Sequence, residues 1–444
     1  MTESAINIIK LNQRVTVVTE SMPWLNSLAL GFMFETGSRD EDLTNNGITH
    51  FIEHMTFKGT EDKTAYDIAR TLERLGVFVN GYTTQEEMTI YASMLKEKFS
   101  EVFPILVSML KRRKYNPQDF DLEKNVIIQE ILEAQDDPEE FLPEVFFQEM
   151  FPQNSLGLAV GGSVGTVRGI TQAMLEERLE HNWLNRRLCI SVAGNLELSE
   201  VLSQARAQGI FGANEVYQLN WVTPTKNLST TLGIIRRNDL KQVYGLIGNY
   251  TIPITDQRRF ALAVLNQIIG ASRSSRLVSL LEEEKALVSY ISSFYELFSD
   301  IGIWGIFFAT SPDSLSEVLG LITEELKKLQ NFGITKDEMD KAINYRKGFL
   351  AMASEAPSFR MQINARNYLR LGTVPTLQEV LNEYDRLTLD EVNYGLNLLD
   401  IDNWRGVLMG PIDNKQLLNI NEYRPIKELN FLLETNKKPE MGVT

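Results

Sequence analysis

The sequence predicts an α+β protein of two homologous halves, each a largely antiparallel sheet with helices packed on one face. Three observations predict it. The chain has 444 residues, more than one hydrophobic core usually holds. The first 135 residues read as strand-strand-helix-helix, then the same again, an order that lays helices over an antiparallel sheet. The second half repeats that order and carries echoes of the first. "FSEVFPILVSML" at 99–110 lines up with "LSEVLGLITEEL" at 315–326, a shift of 216, and 118–130 overlays 337–349 at a shift of 219. Two units of about 220 residues each account for both shifts.

The elements follow from local pattern. "RVTVVTE" and "NSLALGFMFETGS" are β-rich runs separated by Met22-Pro23 and read as two strands. Residues 45–58 read as a helix. "TAYDIARTLERLG" places Ile68, Leu72 and Leu75 on one helical face, and Gly76 is its stop. "VFVNGYTTQEEMTIYASML" reads as two strands across a polar turn. Two helices follow, the second opened by "NPQD" and closed before Pro138. In the second half "TTLGIIRR" and "QVYGLIGNYTIP" are strands, and "RRFALAVLNQIIG" and "SSRLVSLLEEEKA" are helices. A strand pair at 288–311 and two more helices complete it. The expected division is 1–215, a linker at 216–230 mixing Pro, Asn and Thr, and 231–444. "AVGGSVGTVRG" at 159–169 is glycine-rich but lacks the Gly-Lys-Ser/Thr ending of a phosphate loop, so it reads as a flexible turn.

Composition excludes several function classes. A net charge of −15 argues against nucleic acid as a partner, because phosphate binding needs a basic surface. No apolar run reaches the ~18–20 residues that span a bilayer, and the start lacks a basic and then apolar leader. A cytoplasmic protein without a membrane partner is the expectation. The single cysteine, Cys189, rules out an internal disulfide or a cysteine-based zinc cluster. It lies in the strand-like run "RRLCISVAG" and reads as a buried, inert thiol.

The chemistry is concentrated in "GITHFIEHMTFKGT", residues 47–60. The chain has three histidines, and two, His50 and His54, stand here four apart with Glu53 beside the second. On a helix, positions i and i+4 share a face, so both imidazoles can aim at one point. Zn²⁺ takes neutral imidazole nitrogens at ~2.0–2.1 Å, and a catalytic site adds a third protein ligand and leaves a position open. Glu53 is suited to take a proton from water, the base role in a zinc peptidase. The order H-x-x-E-H inverts the commoner H-E-x-x-H. The alternative is two histidines sharing a helix by accident. Phe51, Ile52, Met55 and Phe57 surround them, however, and buried histidines need partners. For the third ligand, His181 stands at an expected helix end and Cys189 in a strand away from any motif. That leaves a carboxylate: Glu123 and Glu130, seven apart on one helix, or Glu133.

On these residues the chain resembles the M16 peptidases, the group of mitochondrial processing peptidase, insulin-degrading enzyme and pitrilysin, in their short bacterial form. The likeness runs over nearly the whole chain, and "GITHFIEHMTFKGT" follows the family's G-x-x-H-x-x-E-H-M-x-F-K-G-T. The resemblance implies the LuxS and processing-peptidase type of fold, and one Zn²⁺ held by His50, His54 and Glu130. It also implies Glu53 as general base and Glu123 as support for the ligand geometry. "NGYTTQE" at 80–86 matches the family's N-A-x-T-x-x-E edge strand. Asn80, Gly81 and Tyr82 are therefore candidate contacts to an extended peptide substrate.

One departure bears on partners. Active members carry L-R-E-x-x-G-L-A-Y in the second half, where the arginine and tyrosine hold substrate. Here Glu282 and Ser289 occupy those positions, Tyr290 is one residue off, and the second half has no histidine. A residue shifted by one along a strand points to the other face. The resemblance then implies a zinc-dependent endopeptidase working on peptides or unfolded segments in an enclosed chamber. This chain would be the zinc-bearing subunit of a heterodimer. Its homologous sister subunit would lack H-x-x-E-H and supply the Arg/Tyr pair. The competing expectations are a non-catalytic assembly subunit of an M16-like complex and a maturation protease dedicated to one precursor peptide.

Overall fold

Valine-rich and alternating apolar runs build the first sheet. In the computed structural model, residues 5–111, 115–210, 221–226, 229–414, 416–417 and 426–429 are described. Part of the expected linker, 216–220 and 227–228, lies outside them. The first-half strands are β1 (Ile6–Lys10), β2 (Val15–Ser21), β3 (Ser27–Phe34), β4 (Phe78–Thr83), β5 (Met88–Leu95) and β6 (Leu188–Gly194). They lie in the order β1-β2-β6-β3-β5-β4. β2 and β6 run parallel, and the other neighbours are antiparallel. Every residue of β6 is buried, as suits a strand covered on both faces. That run contains Cys189, whose thiol burial holds well above its ordinary pKa.

The second sheet contains β7 (Leu232–Arg236), β8 (Val243–Thr251), β9 (Val288–Leu297), β10 (Gly302–Thr310), β11 (Arg405–Gly410) and β12 (Ile426–Glu428). Its order is β12-β7-β11-β8-β10-β9. Five strands of each sheet correspond one to one. The sixth differs: β1 pairs antiparallel with β2, whereas β12 pairs parallel with β7.

Helices α1 (Ile48–Thr56), α2 (Ala65–Arg74), α3 (Phe99–Leu110), α4 (Pro117–Asp136), α5 (Pro138–Met150), α6 (Val164–Gly169), α7 (Gln172–Asn185) and α8 (Leu198–Ala207) belong to the first half. In the second are α9 (Arg259–Ile269), α10 (Arg276–Val278, continued by a π-turn at Ser279–Glu284), α11 (Leu315–Phe332) and α12 (Lys336–Ala353). They are followed by α13 (Pro357–Leu371), α14 (Leu377–Arg386) and α15 (Leu389–Gly395). α2 starts at a Thr64–Asp67 capping box, and Asn116 caps α4 ahead of Pro117. The glycine-rich stretch departs from the expected turn. Ser163 and Thr166 form a capping box there, so 164–169 is helical and only the residues before it are a turn. Among the described residues no helix is long and apolar enough to cross a membrane.

Each half packs its main helical layer on one sheet face, with Leu30, Phe32, Ile90 and Ile190 meeting Phe51, Phe103 and Leu106 in the first. The other face is covered by exchange. From the second half, α13 lays Ala365, Tyr368 and Leu369 over Val18, Met33 and Cys189 of the first sheet. From the first half, α5 lays Phe141, Val145 and Phe146 over Leu246, Ile303 and Val407 of the second. Ion pairs stitch the same seam: Arg360 to Glu20 at 2.7 Å, Arg39, itself paired with Glu86 of its own half at 2.6 Å, to Asp300 at 2.7 Å, and Arg366 to Glu87.

Candidate metal centre

α1 begins at Ile48, three residues later than the expected start at 45, because its N-terminus is tied down. The Glu41 carboxylate accepts the main-chain N–H of Gly47 (2.7 Å) and Thr49 (2.8 Å) and the Asn46 amide (3.0 Å). Those are helix-start donors with no partner inside the helix. Gly47 has φ 93°, and a Cβ there would lie 2.6 Å from the Gly161 carbonyl. Glycine is required on both counts. The loop before α6 is thereby packed against the start of α1, and Asn46 also donates to the Ala159 carbonyl at 2.9 Å.

The apolar face of α1 sets where α4 lies. Phe51 stacks on Phe120 at 4.9 Å between ring centroids, and Glu123 and Glu130 follow one and three turns along that face of α4. The result is convergence. His50 Nε2 is 3.1 Å from His54 Nε2, and His54 Nε2 is 3.3 Å from Glu130 Oε2. One donor atom from each of the three residues lies within 4.8 Å of the others. Donors bonded at ~2.0–2.1 Å to a tetrahedral ion stand about 3.3 Å apart, so this set fits zinc in spacing and in ligand type. Two imidazole nitrogens facing at 3.1 Å repel through their lone pairs unless a cation or proton lies between them.

The surrounding groups tune these donors. His54 Nδ1 lies 2.8 Å from Glu123 Oε1, and Glu123 Oε2 takes the Lys58 ammonium at 2.5 Å. Burial alone would raise the Glu123 carboxyl, but hydrogen bonds from His54 and Lys58 outweigh it and hold the carboxyl below its ordinary value. Burial would lower His54, and the Glu123 hydrogen bond with the charges of Glu130 and Glu53 raises it instead. Burial, with His54 adding to it, lowers His50 to about 4 and keeps it neutral. The His50 Nδ1 atom is buried and has no partner among the described residues.

Glu53 is 8% exposed. Burial raises its pKa, and the Thr83 hydroxyl, donating to Oε2 at 2.9 Å, partly opposes the shift. β4 is the edge of its sheet. Along it Gly81 and Thr83 face Glu53, whereas Asn80 and Tyr82 point to the opposite face by strand alternation. The Tyr82 hydroxyl bonds Glu87 at 3.1 Å. Of the other candidates, Glu133 is exposed and outside the cluster, and His181 sits within α7 beside Asn185. Lys58, Thr83 and Glu41 escaped the sequence reading. Lys58 is four residues past His54, and Thr83 is two past Gly81, and those spacings are the signals that point to them.

In the second half the register of β9 on β10 shifts. Tyr290 pairs with Ala309 and Val288 with Thr310, so Ser289 is a bulged residue. Val288 faces the helical core, and Tyr290 emerges 49% exposed on the other face against Phe307. The register shift is therefore absorbed by a bulge at Ser289. Glu282 is in the π-turn, far along the chain from any histidine.

Residues 16–163 match the family described as Insulinase (Peptidase family M16), and 169–345 match Peptidase M16 inactive domain. The chain is 30% identical to the uncharacterized zinc protease YmxG of Bacillus subtilis, over 90% of this chain and 97% of that one. Among solved structures it is similar to a peptidase M16 inactive domain from Pseudomonas fluorescens. That likeness has a TM-score of 0.85 and 18% identity, over 92% of this chain and 98% of that one. A protease from Helicobacter pylori gives a TM-score of 0.82 and 17% identity, over 92% and 100%. These structural likenesses establish the shared fold of two α+β halves.

Proposed function

We propose a peptidase reading from one premise: the chain belongs to peptidase family M16. On this reading it is a zinc-dependent endopeptidase that hydrolyses peptides or unfolded segments in an enclosed chamber. The observation that carries it is the convergence of His50, His54 and Glu130 donor atoms within 4.8 Å. Those three residues would hold the ion. A zinc ion in that position supplies Lewis-acid polarisation of a carbonyl and acidifies water. The rest falls to the chain's own groups. Glu53 takes a proton from the attacking water on its carboxylate and returns it to the leaving amine. Its raised pKa suits both transfers. Thr83 holds Oε2 and thereby aims Oε1. Glu123 accepts from His54 Nδ1, which leaves Nε2 free of a proton and directed at the ion.

The open edge of β4 at Asn80, Gly81 and Tyr82 offers main-chain groups to which an extended peptide adds as a further strand. Specificity for a backbone in that mode suits unfolded segments over compact proteins. Glu282 and Ser289, where active relatives carry arginine and tyrosine, favour a heterodimer in which a homologous sister chain supplies that pair.

The test is zinc content together with cleavage of a quenched peptide, alone and with any co-purified partner. Glu53→Gln is expected to keep its zinc and lose about 10²–10⁴-fold in kcat. Unchanged cleavage would remove Glu53 from the role of base.

A further inference from the structure

A cavity of about 640 Å³ lies between the β4–β5 turn and helices of the second half. Thr84 and Glu87 line it from the first half. Thr83, which holds Glu53, is the residue immediately before Thr84. A peptide added to the β4 edge and continuing past Thr83 would run toward Thr84 and this cavity. One wall is apolar: Phe260, Leu350, Phe359, Ile363 and Val380. Arginines and glutamates line it as well.

The charges there do not cancel locally. Arg366 and Arg370 are taken by Glu87, and Arg360 by Glu20. Glu383 is taken by Arg386, Glu379 caps α14 at Thr376, and Glu296 faces Arg370 and Arg366. That leaves Arg346 and Arg259, which make no ion pair within 4 Å among the described residues, although the charges of Glu383 and Asp256 act on Arg259. Arg259 donates to the Asp256 carbonyl at 3.2 Å. Arg346 lies beside Tyr384, and its Nε is buried with no partner among the described residues. Tyr384 is 3% exposed and locked edge-on against Phe260 at 5.3 Å, so the arginines flank a rigid platform. Partly buried guanidinium groups without a counter-ion are costly unless a ligand supplies one. A planar fork of N–H donors matches a carboxylate.

We propose that this cavity is a substrate-specificity site: it takes a carboxylate of the bound peptide on Arg259 and Arg346, with an adjoining apolar side chain against Phe260 and Phe359. The inference rests on the reading of β4 as the substrate strand. The carboxylate is either the peptide's C-terminus or an Asp/Glu side chain, and both present the same chemistry.

The test uses the full chain with any co-purified partner. Fluorescent peptides are bound to the Glu53→Gln form and read by anisotropy, and their quenched counterparts are cleaved by the native form. Each peptide is made with a free or amidated C-terminus and with Asp or Asn within. The carboxylate form is expected to bind about tenfold more tightly, as one paired charge allows. Arg346→Gln and Arg259→Gln should each abolish that preference, raising KM for the carboxylate peptide with kcat held. Arg346→Lys should restore most of it. Loss of the preference on amidation identifies the terminal carboxylate, and loss on Asp→Asn identifies a side chain. Equal binding of all four forms, or equal weakening of all four by Arg346→Gln, overturns the inference. An arginine-dependent preference in a chain that cleaves nothing would sink the peptidase reading and leave the cavity assignment standing.

Discussion

At Gly81 the β4 backbone approaches Glu53 so closely that a Cβ would sit 2.8 Å from Oε1 and 2.8 Å from the Ile90 methyl. A methyl group there must displace the carboxylate, since Ile90 belongs to the core. Gly81→Ala is therefore expected to lower kcat by about 10²-fold, the effect of moving a catalytic group by roughly 1 Å. Zinc stoichiometry, measured alongside, should not change, because the atoms nearest a Cβ there belong to Glu53 and Ile90 and not to His50, His54 or Glu130. Residue identity also carries the division of labour on α1. Four residues apart put two imidazoles on one face, and just past the end of the helix Lys58 reaches Glu123 and keeps it ionised.

Helix α1 owes its placement to Glu41. Removing that carboxylate leaves the Gly47 and Thr49 N–H groups buried and unpaired. Glu41→Ala should cost about 2–3 kcal/mol in urea or thermal unfolding, and weaken zinc binding measured by chelator competition. Helix α5 carries a different liability. Glu144 lies on it and burial, with the Glu140 charge adding, raises its carboxyl from 4.5 to about 7. The folded state therefore holds this proton where the unfolded state has lost it. Stability falls as pH rises between ~4.5 and about 7, and above that the folded chain bears a buried charge. Glu144→Gln should match the native chain near pH 4 and exceed it by up to about 3 kcal/mol at pH 8. Denaturation curves at the two pH values decide it.

The exchange of α5 and α13 makes the two halves one folding unit, with the Glu87–Arg366 pair at the seam. Burial would raise the Glu87 carboxyl, but hydrogen bonds from Arg366 and the charges of Arg366 and Arg370 hold it below its ordinary value. The unfolded chain binds that proton more readily, at ~4.3. The pair's contribution is thus fully present above that value and lost as pH falls through the lower folded value. Glu87→Gln should lose about 3 kcal/mol at pH 7, where Arg366 is left unpaired. The deficit should shrink as pH falls below ~4, and melting profiles across pH 3–7 read it. Much of this molecule was legible in its linear order. The period-2 and period-3.6 patterns marked the strands and helices, the 216-residue shift marked the duplication, and the spacing of His50, Glu53 and His54 marked the candidate metal centre. Local pattern carries such things because they depend on residues within a turn or a strand of one another. What depended on distant segments was not legible. The bulge at Ser289, the helix hidden in 164–169, the Thr83 grip on Glu53 and the two unpaired arginines are all set by which surfaces meet. So is the cover that each half lends the other. Packing of remote side chains decides those, and no spacing along the chain encodes it.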